Sequence, residues 1–79
     1  MVTYQWIVLL SDGSEHPFYE GPEETDPLTT LEGFDEGTAW KLQAPTLEGN
    51  DLATPHDDPG HYLVSKTDVV STRKAQILP

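Results

Sequence analysis

The residues best suited to chemistry lie in Pro55-His56-Asp57-Asp58-Pro59-Gly60-His61, where two imidazoles and two carboxylates fall close together. Neutral imidazole and carboxylate are the ligands that zinc and similar ions take, so His56, Asp57, Asp58 and His61 form a candidate metal site. The same residues also read as turn chemistry. Asp-Pro-Gly favours a reversal, and a strand beginning at His61 turns it away from His56. The spacing matches no named metal motif, and His16 is the only other histidine. Glu20 to Asp26 and Asp35-Glu36 offer oxygen ligands for calcium. They lack the alternating acids, central glycine and terminal glutamate of an EF-hand loop, so they read as solvated acidic loop. Ser11 or Ser14 beside His16 and Asp12 is a local nucleophile set. Nucleophilic triads are assembled by the packing of distant segments, so neighbours on one hairpin are not expected to share a reaction centre. No enzymatic activity and no cofactor are expected.

Charge narrows the partners. Residues 1–65 carry thirteen acids against one base, Lys41, and residues 66–79 carry Lys66, Arg73 and Lys74 against Asp68. A body of −12 therefore precedes a tail of +2, giving −10 over 79 residues. Such a surface repels nucleic acid and anionic membrane and favours protein partners. Nucleic-acid binding needs a basic, aromatic face, and Arg73 and Lys74 point to opposite faces of a strand. No run approaches the ~20 apolar residues that span a bilayer. Trp6–Leu10 is too short for a signal peptide and has no base before it, so synthesis in the cytoplasm is expected.

The elements that must position these groups are strands. Tyr4, Trp6, Val8 and Leu10 alternate with Ile7 and Leu9 over Thr3–Ser11, and apolar residues on both faces predict a central strand. Ser11-Asp12-Gly13-Ser14 is a turn in which Gly13 can take positive φ. Glu15–Glu20 returns as a hairpin strand, and Pro17, lacking an N–H, places it at an edge or a bulge. Gly21–Gly37 is a long acidic loop, with one helical turn expected over Thr29-Thr30-Leu31-Glu32. Thr38–Ala44 resumes strand character around Trp40 and Leu42, and Pro45–Gly60 reads as a second polar loop. His61–Lys66 and Val69–Leu78 complete the strands. In the last of them Val69, Arg73, Ala75 and Ile77 fall on one face, with Val70, Thr72 and Lys74 on the other. Residues 1–79 thus read as a single all-β domain, a small five-stranded barrel or sandwich with two long acidic loops rich in proline and glycine. Zero cysteines exclude a disulfide framework and thiolate metal sites.

A strand ending in Leu-Ser-Asp-Gly-Ser, a second strand, an aromatic third strand and a closing Ser-Lys-Thr-Asp-Val-Val-Ser-Thr-Arg-Lys-Ala together resemble small SH3-like β-barrel proteins of phages and their hosts. The resemblance covers Tyr4–Tyr19 and Tyr62–Ile77 and brings no catalytic residues. With no catalytic motif in view, the chain is read as a non-enzymatic structural or interaction protein, a small accessory subunit of a larger assembly such as a phage capsid or tail. The partner is then another protein or further copies of this chain, since an acidic body and a basic final strand are complementary. Phe34 and Leu31 in the first loop, the acids Glu23 and Glu24, and Arg73 and Lys74 are the expected partner-binding residues. Two other readings stand beside this one. One is an acidic inhibitor that imitates nucleic acid in the groove of a basic host protein, and the other is the metal-binding domain already described.

Overall fold

The computed structural model describes residues 2–29 and 39–77. Six strands follow one another in these residues: β1 (Thr3–Leu10), β2 (Glu15–Gly21), β3 (Ala39–Leu42), β4 (Ala53–Pro55), β5 (Tyr62–Ser65) and β6 (Val69–Ile77). They form two antiparallel three-stranded sheets, in the orders β2-β1-β6 and β3-β5-β4, with no closed barrel among the described residues. Single 3₁₀ turns occupy Pro27–Thr29, Pro45–Leu47 and Lys66–Asp68.

The central position of β1 follows from its composition. Trp6, Val8 and Leu10 project into the core, and Ile7 is also buried although it faces the other way. On that second face Ile7 lies between Pro17 and Arg73 as cross-strand neighbours. At the β1–β2 hairpin Gly13 takes φ +87°, a conformation that favours glycine. Pro17 lies on an edge strand, and the register slips beside it. Trp6 faces Tyr19 while Ile7 faces Pro17, so Phe18 is the extra residue of a bulge and turns into the core.

One apolar core joins both sheets. Trp6, Val8, Leu10 and Phe18 come from the first, and Leu42 and Val64 from the second. Leu28, Ala44 and Leu47 fill it from the connections. This corrects the reading of Pro45–Gly60 as a polar loop. Leu47 is completely buried, and Ala53–Pro55 adds a sixth strand against β5 to the five expected. That strand is three residues long and ends in a proline, which an edge accommodates without losing a ladder hydrogen bond.

A second correction concerns β6. Leu9 faces Ser71 but Leu10 faces Val69, so Val70 is a bulge residue. Val69 therefore packs on the core, on the side of Thr72 and Lys74, whereas Ser71, Arg73, Ala75 and Ile77 take the opposite face. A 3₁₀ turn occupies Pro27–Thr29; of the turn expected over Thr29–Glu32, the residues Thr30, Leu31 and Glu32 lie outside the described residues.

Candidate functional site

The histidine–aspartate segment is the turn of the β4–β5 hairpin. The His56 N–H donates to the His61 carbonyl (3.0 Å), and the His61 N–H donates to the Asp58 carbonyl (3.1 Å). The reversal is completed by Gly60 at φ +81°. Both Nδ1 atoms are engaged with the backbone. His56 Nδ1 accepts from the Asp58 N–H (3.1 Å), and His61 Nδ1 donates to the Pro59 carbonyl (3.2 Å). Asp58 forms an ion pair with Lys41 on β3, and the Lys41 hydrogen bond and charge hold its carboxyl below the usual aspartate range. Asp57 is exposed. Among the described residues, no three or more histidine, aspartate or glutamate side chains gather as a metal cage.

Ser14, His16 and Asp12 come together, contrary to the expectation that hairpin neighbours diverge. Asp12 Oδ1 accepts from the Ser14 N–H (2.8 Å) and from the Ser14 hydroxyl (2.5 Å). The buried His16 ring sits with Nε2 at 2.8 Å from Ser14 Oγ and Nδ1 at 3.1 Å from Thr46 Oγ1. Asn50 donates to Asp12 Oδ2 and to Ser14 Oγ, each at 3.3 Å. Ser11 is not part of this cluster, since its hydroxyl bonds to Asp68 (3.3 Å).

Proton accounting decides what this cluster can do. Ser14 has one hydroxyl proton, and the charged Asp12 oxygen at 2.5 Å is its strongest acceptor. Ser14 Oγ then accepts from a protonated His16 Nε2 at 2.8 Å, whereas the Asn50 amide, 3.4 Å from the same Nε2, can only donate and calls for that nitrogen to be bare. The two contacts favour opposite tautomers of His16, the shorter one placing the proton on Nε2. The cluster is a polar tie from the first hairpin to the segment between β3 and β4.

The hydrogen bonds to Ser14, ahead of the other influences on it, lower the Asp12 carboxyl below its ordinary value. The signs for Asp12 and Asp58 agree. Each depressed folded-state carboxyl contributes stability that is present above the unfolded value and is lost as the pH falls through the folded one. Asp12→Asn is therefore expected to be less stable than the parent at neutral pH, with the difference closing between about pH 5 and pH 2. Urea midpoints measured across that range check this, and a constant difference would contradict it.

Of the expected partner-binding residues, three form an internal strap. Trp6 Nε1 donates to the Glu23 carbonyl (3.1 Å), and the Tyr4 hydroxyl donates to Glu24 Oε1 (3.2 Å). Lys74 Nζ donates to the Glu24 carbonyl (3.3 Å) and lies 4.7 Å from the Tyr4 ring centre, a cation–π distance. Desolvation, followed by the Glu24 charge, raises the Tyr4 phenol above its usual value. Asp26 continues the strap, accepting from the Thr72 hydroxyl (2.6 Å) and the Leu28 N–H (3.0 Å). Arg73 lies on the other face of the sheet, donating to Glu15 (2.8 Å). Phe34 and Leu31 lie outside the described residues.

Sequence reasoning did not distinguish between the strand edges. Among the described residues the two sheets end in β2 and β6, and in β3 and β4. β2 contains Pro17 and a bulge, β3 has four residues, and β4 has three with Pro55. These are the devices that blunt an edge against added strands. β6 is nine residues long, has no proline, and keeps an unbroken register from Ser71 to Ile77. Its outward groups follow from alternation along β1. The Leu10 N–H and carbonyl bond to Ser14 and Gly13 on the β2 side, so Leu9, Ile7, Gln5 and Thr3 turn toward β6. Ser71, Arg73, Ala75 and Ile77 are their partners, which leaves the backbone groups of Thr72, Lys74 and Gln76 facing outward.

Beside this edge a groove of about 280 Å³ opens between Leu28, Trp40, Val69 and Thr72. Val70 at its rim is 60% exposed, the most exposed large hydrophobic side chain among the described residues. Compared with protein-family models, curated proteins and solved structures, the chain matches none.

Proposed function

We propose that the chain is a non-enzymatic interaction protein, a small accessory subunit of a larger assembly such as a phage capsid or tail, which binds a protein partner through a strand edge. The observation that carries this reading is the contrast among the edges of the described residues, with three blunted and β6 long, free of proline and regular beside an apolar groove. The sequence resemblance to small SH3-like proteins of phages and their hosts supports placing it in such a particle, made in the cytoplasm and carried into the virion. The short bond from the Ser14 hydroxyl to Asp12, which directs that proton away from His16, supports the non-enzymatic reading. Nucleic-acid mimicry is less well supported, because it requires acids fixed along one free face. Here Asp12, Glu15, Glu24 and Asp58 are engaged in separate internal contacts.

The mass of the native particle, measured by light scattering on a sizing column at low and high salt, tests this. A discrete oligomer or co-migration with a large assembly is expected. A monomer at both salts, with no assembly in its source, overturns the reading.

A further inference from the structure

We propose that His16 is a proton switch of the folded chain. On taking a second proton at Nδ1 the ring keeps its buried place, Thr46 turns from donor to acceptor, and Asp12 serves as counter-ion through the Ser14 hydroxyl. At 7% exposure His16 is the only buried polar or charged side chain among the described residues. Imidazole is also the side chain that ordinarily gains its charge between about pH 5 and pH 8, so mild acid reaches the interior here.

A charge is tolerated inside a protein when each of its donors is hydrogen-bonded and a counter-charge lies near. Both conditions hold around this ring. Nε2 lies 2.8 Å from Ser14 Oγ, whose own proton goes to Asp12, so the oxygen has lone pairs for the ring N–H. Nδ1 lies 3.1 Å from Thr46 Oγ1. A hydroxyl both donates and accepts, so Thr46 serves a bare Nδ1 and a protonated one without any movement of heavy atoms. Thr46 is exposed, and its displaced hydroxyl proton turns to water. Asp12 is one hydroxyl away from the ring. The bonds from Ser14 foremost, and the His16 charge least, hold its carboxyl below the ordinary value, so it stays ionised wherever imidazole titrates. The Asn50 amide opposes the charged ring, lying 3.4 Å from Nε2 and able only to donate. It keeps Asp12 Oδ2 and Ser14 Oγ as acceptors, each at 3.3 Å, so giving up the ring strands no donor. The surrounding elements bring no competing charge. β1 has none, and neither does Pro45–Leu47. Glu15, next to His16 on β2, is bound to Arg73, and Glu48 and Asp51 further along the β3–β4 segment are exposed.

The test is a magnetic-resonance titration of the full chain from about pH 8 to about pH 4.5, following the His16 ring nitrogens together with the backbone amides. Both ring nitrogens are expected to reach imidazolium shifts while the amides keep the dispersion of the folded chain. Asp12→Asn removes the counter-ion and is expected to lower the pH of that transition by about 0.5–1. His61, on the β4–β5 turn, is the control and is expected to titrate as in the parent. Thr46→Val removes the acceptor for the Nδ1 proton and is expected to lower the transition as well, and Thr46→Ser, which keeps a hydroxyl, to restore it. Thr46 is exposed, so both of these variants are expected to retain the folded amide spectrum. A ring that stays neutral until the amide dispersion collapses overturns the switch, as does one that charges only as the fold is lost. A transition unmoved by Asp12→Asn overturns the counter-ion, and one unmoved by Thr46→Val overturns the reversal of that hydroxyl.

Discussion

Leu47→Ala is expected to lower the free energy of unfolding by about 2–5 kcal/mol, the range for truncating a fully buried leucine. Leu47 has no exposed surface and lies in the shared core with Leu42, Val64 and Leu10. Truncation leaves a cavity where the two sheets meet, and the backbone around it is not free to collapse. Ala44 is buried just before the Pro45–Leu47 turn, and the Leu47 N–H donates to the Ala44 carbonyl (2.8 Å). A domain of this size has only a few kcal/mol of net stability, so the variant should be largely unfolded at 37 °C. Thermal melts followed by near-ultraviolet circular dichroism, which reports on Trp6 and Trp40, measure it. A loss below 1 kcal/mol, in the range of exposed substitutions, would show that Leu47 belongs to a surface loop after all.

That result would bear directly on why this segment was hard to read. Tyr4, Trp6, Val8 and Leu10 announce their strand because a half-buried β segment repeats every two residues, and the structure places those residues where the alternation says. The hairpin is legible for a similar reason. Gly13 and Pro17 are constrained by their own covalent chemistry, one permitted positive φ and the other denied a ladder donor. Leu47 and Ala53 carry no such signal. Leu47 stands alone and Ala53 is paired only with Leu52 among Pro45, Glu48, Gly49 and Asp51, and a 3₁₀ turn and a three-residue strand are too short to show a period. The face assignment of Val69 failed for another reason. A bulge at Val70 shifts the alternation by one residue, and nothing in Val69-Val70-Ser71 marks it. The place of β6 at a sheet end among the described residues is a relation between strands, visible only once the sheet order is known.

The Ser14–His16 contact lies between these cases. Its residue types were legible as chemistry, but the atom that decides their role is contributed by Thr46, thirty residues from His16. The decisive expectation concerns the tautomer. Nitrogen-15 spectra of the neutral ring are expected to show the proton on Nε2, with Nδ1 bare and accepting from Thr46. The opposite tautomer would leave Nε2 bare, accepting from the Asn50 amide and presenting a lone pair to Ser14. The energetic counterpart is His16→Phe, which keeps a ring in the buried site and removes both nitrogens. It removes the ring partner of the Thr46 hydroxyl, while Ser14 keeps its bonds with Asp12 and Asn50, at an expected cost of about 1–3 kcal/mol. Thr46→Val measured alone and in the His16→Phe background closes a double-mutant cycle. A coupling of about 0.5–1.5 kcal/mol, the net worth of one hydrogen bond, is expected if Nδ1 accepts from Thr46. Zero coupling would mean that the ring is held by packing alone. In that case the tie between the first hairpin and the β3–β4 segment would rest on the bonds from Asn50 to Asp12 and Ser14.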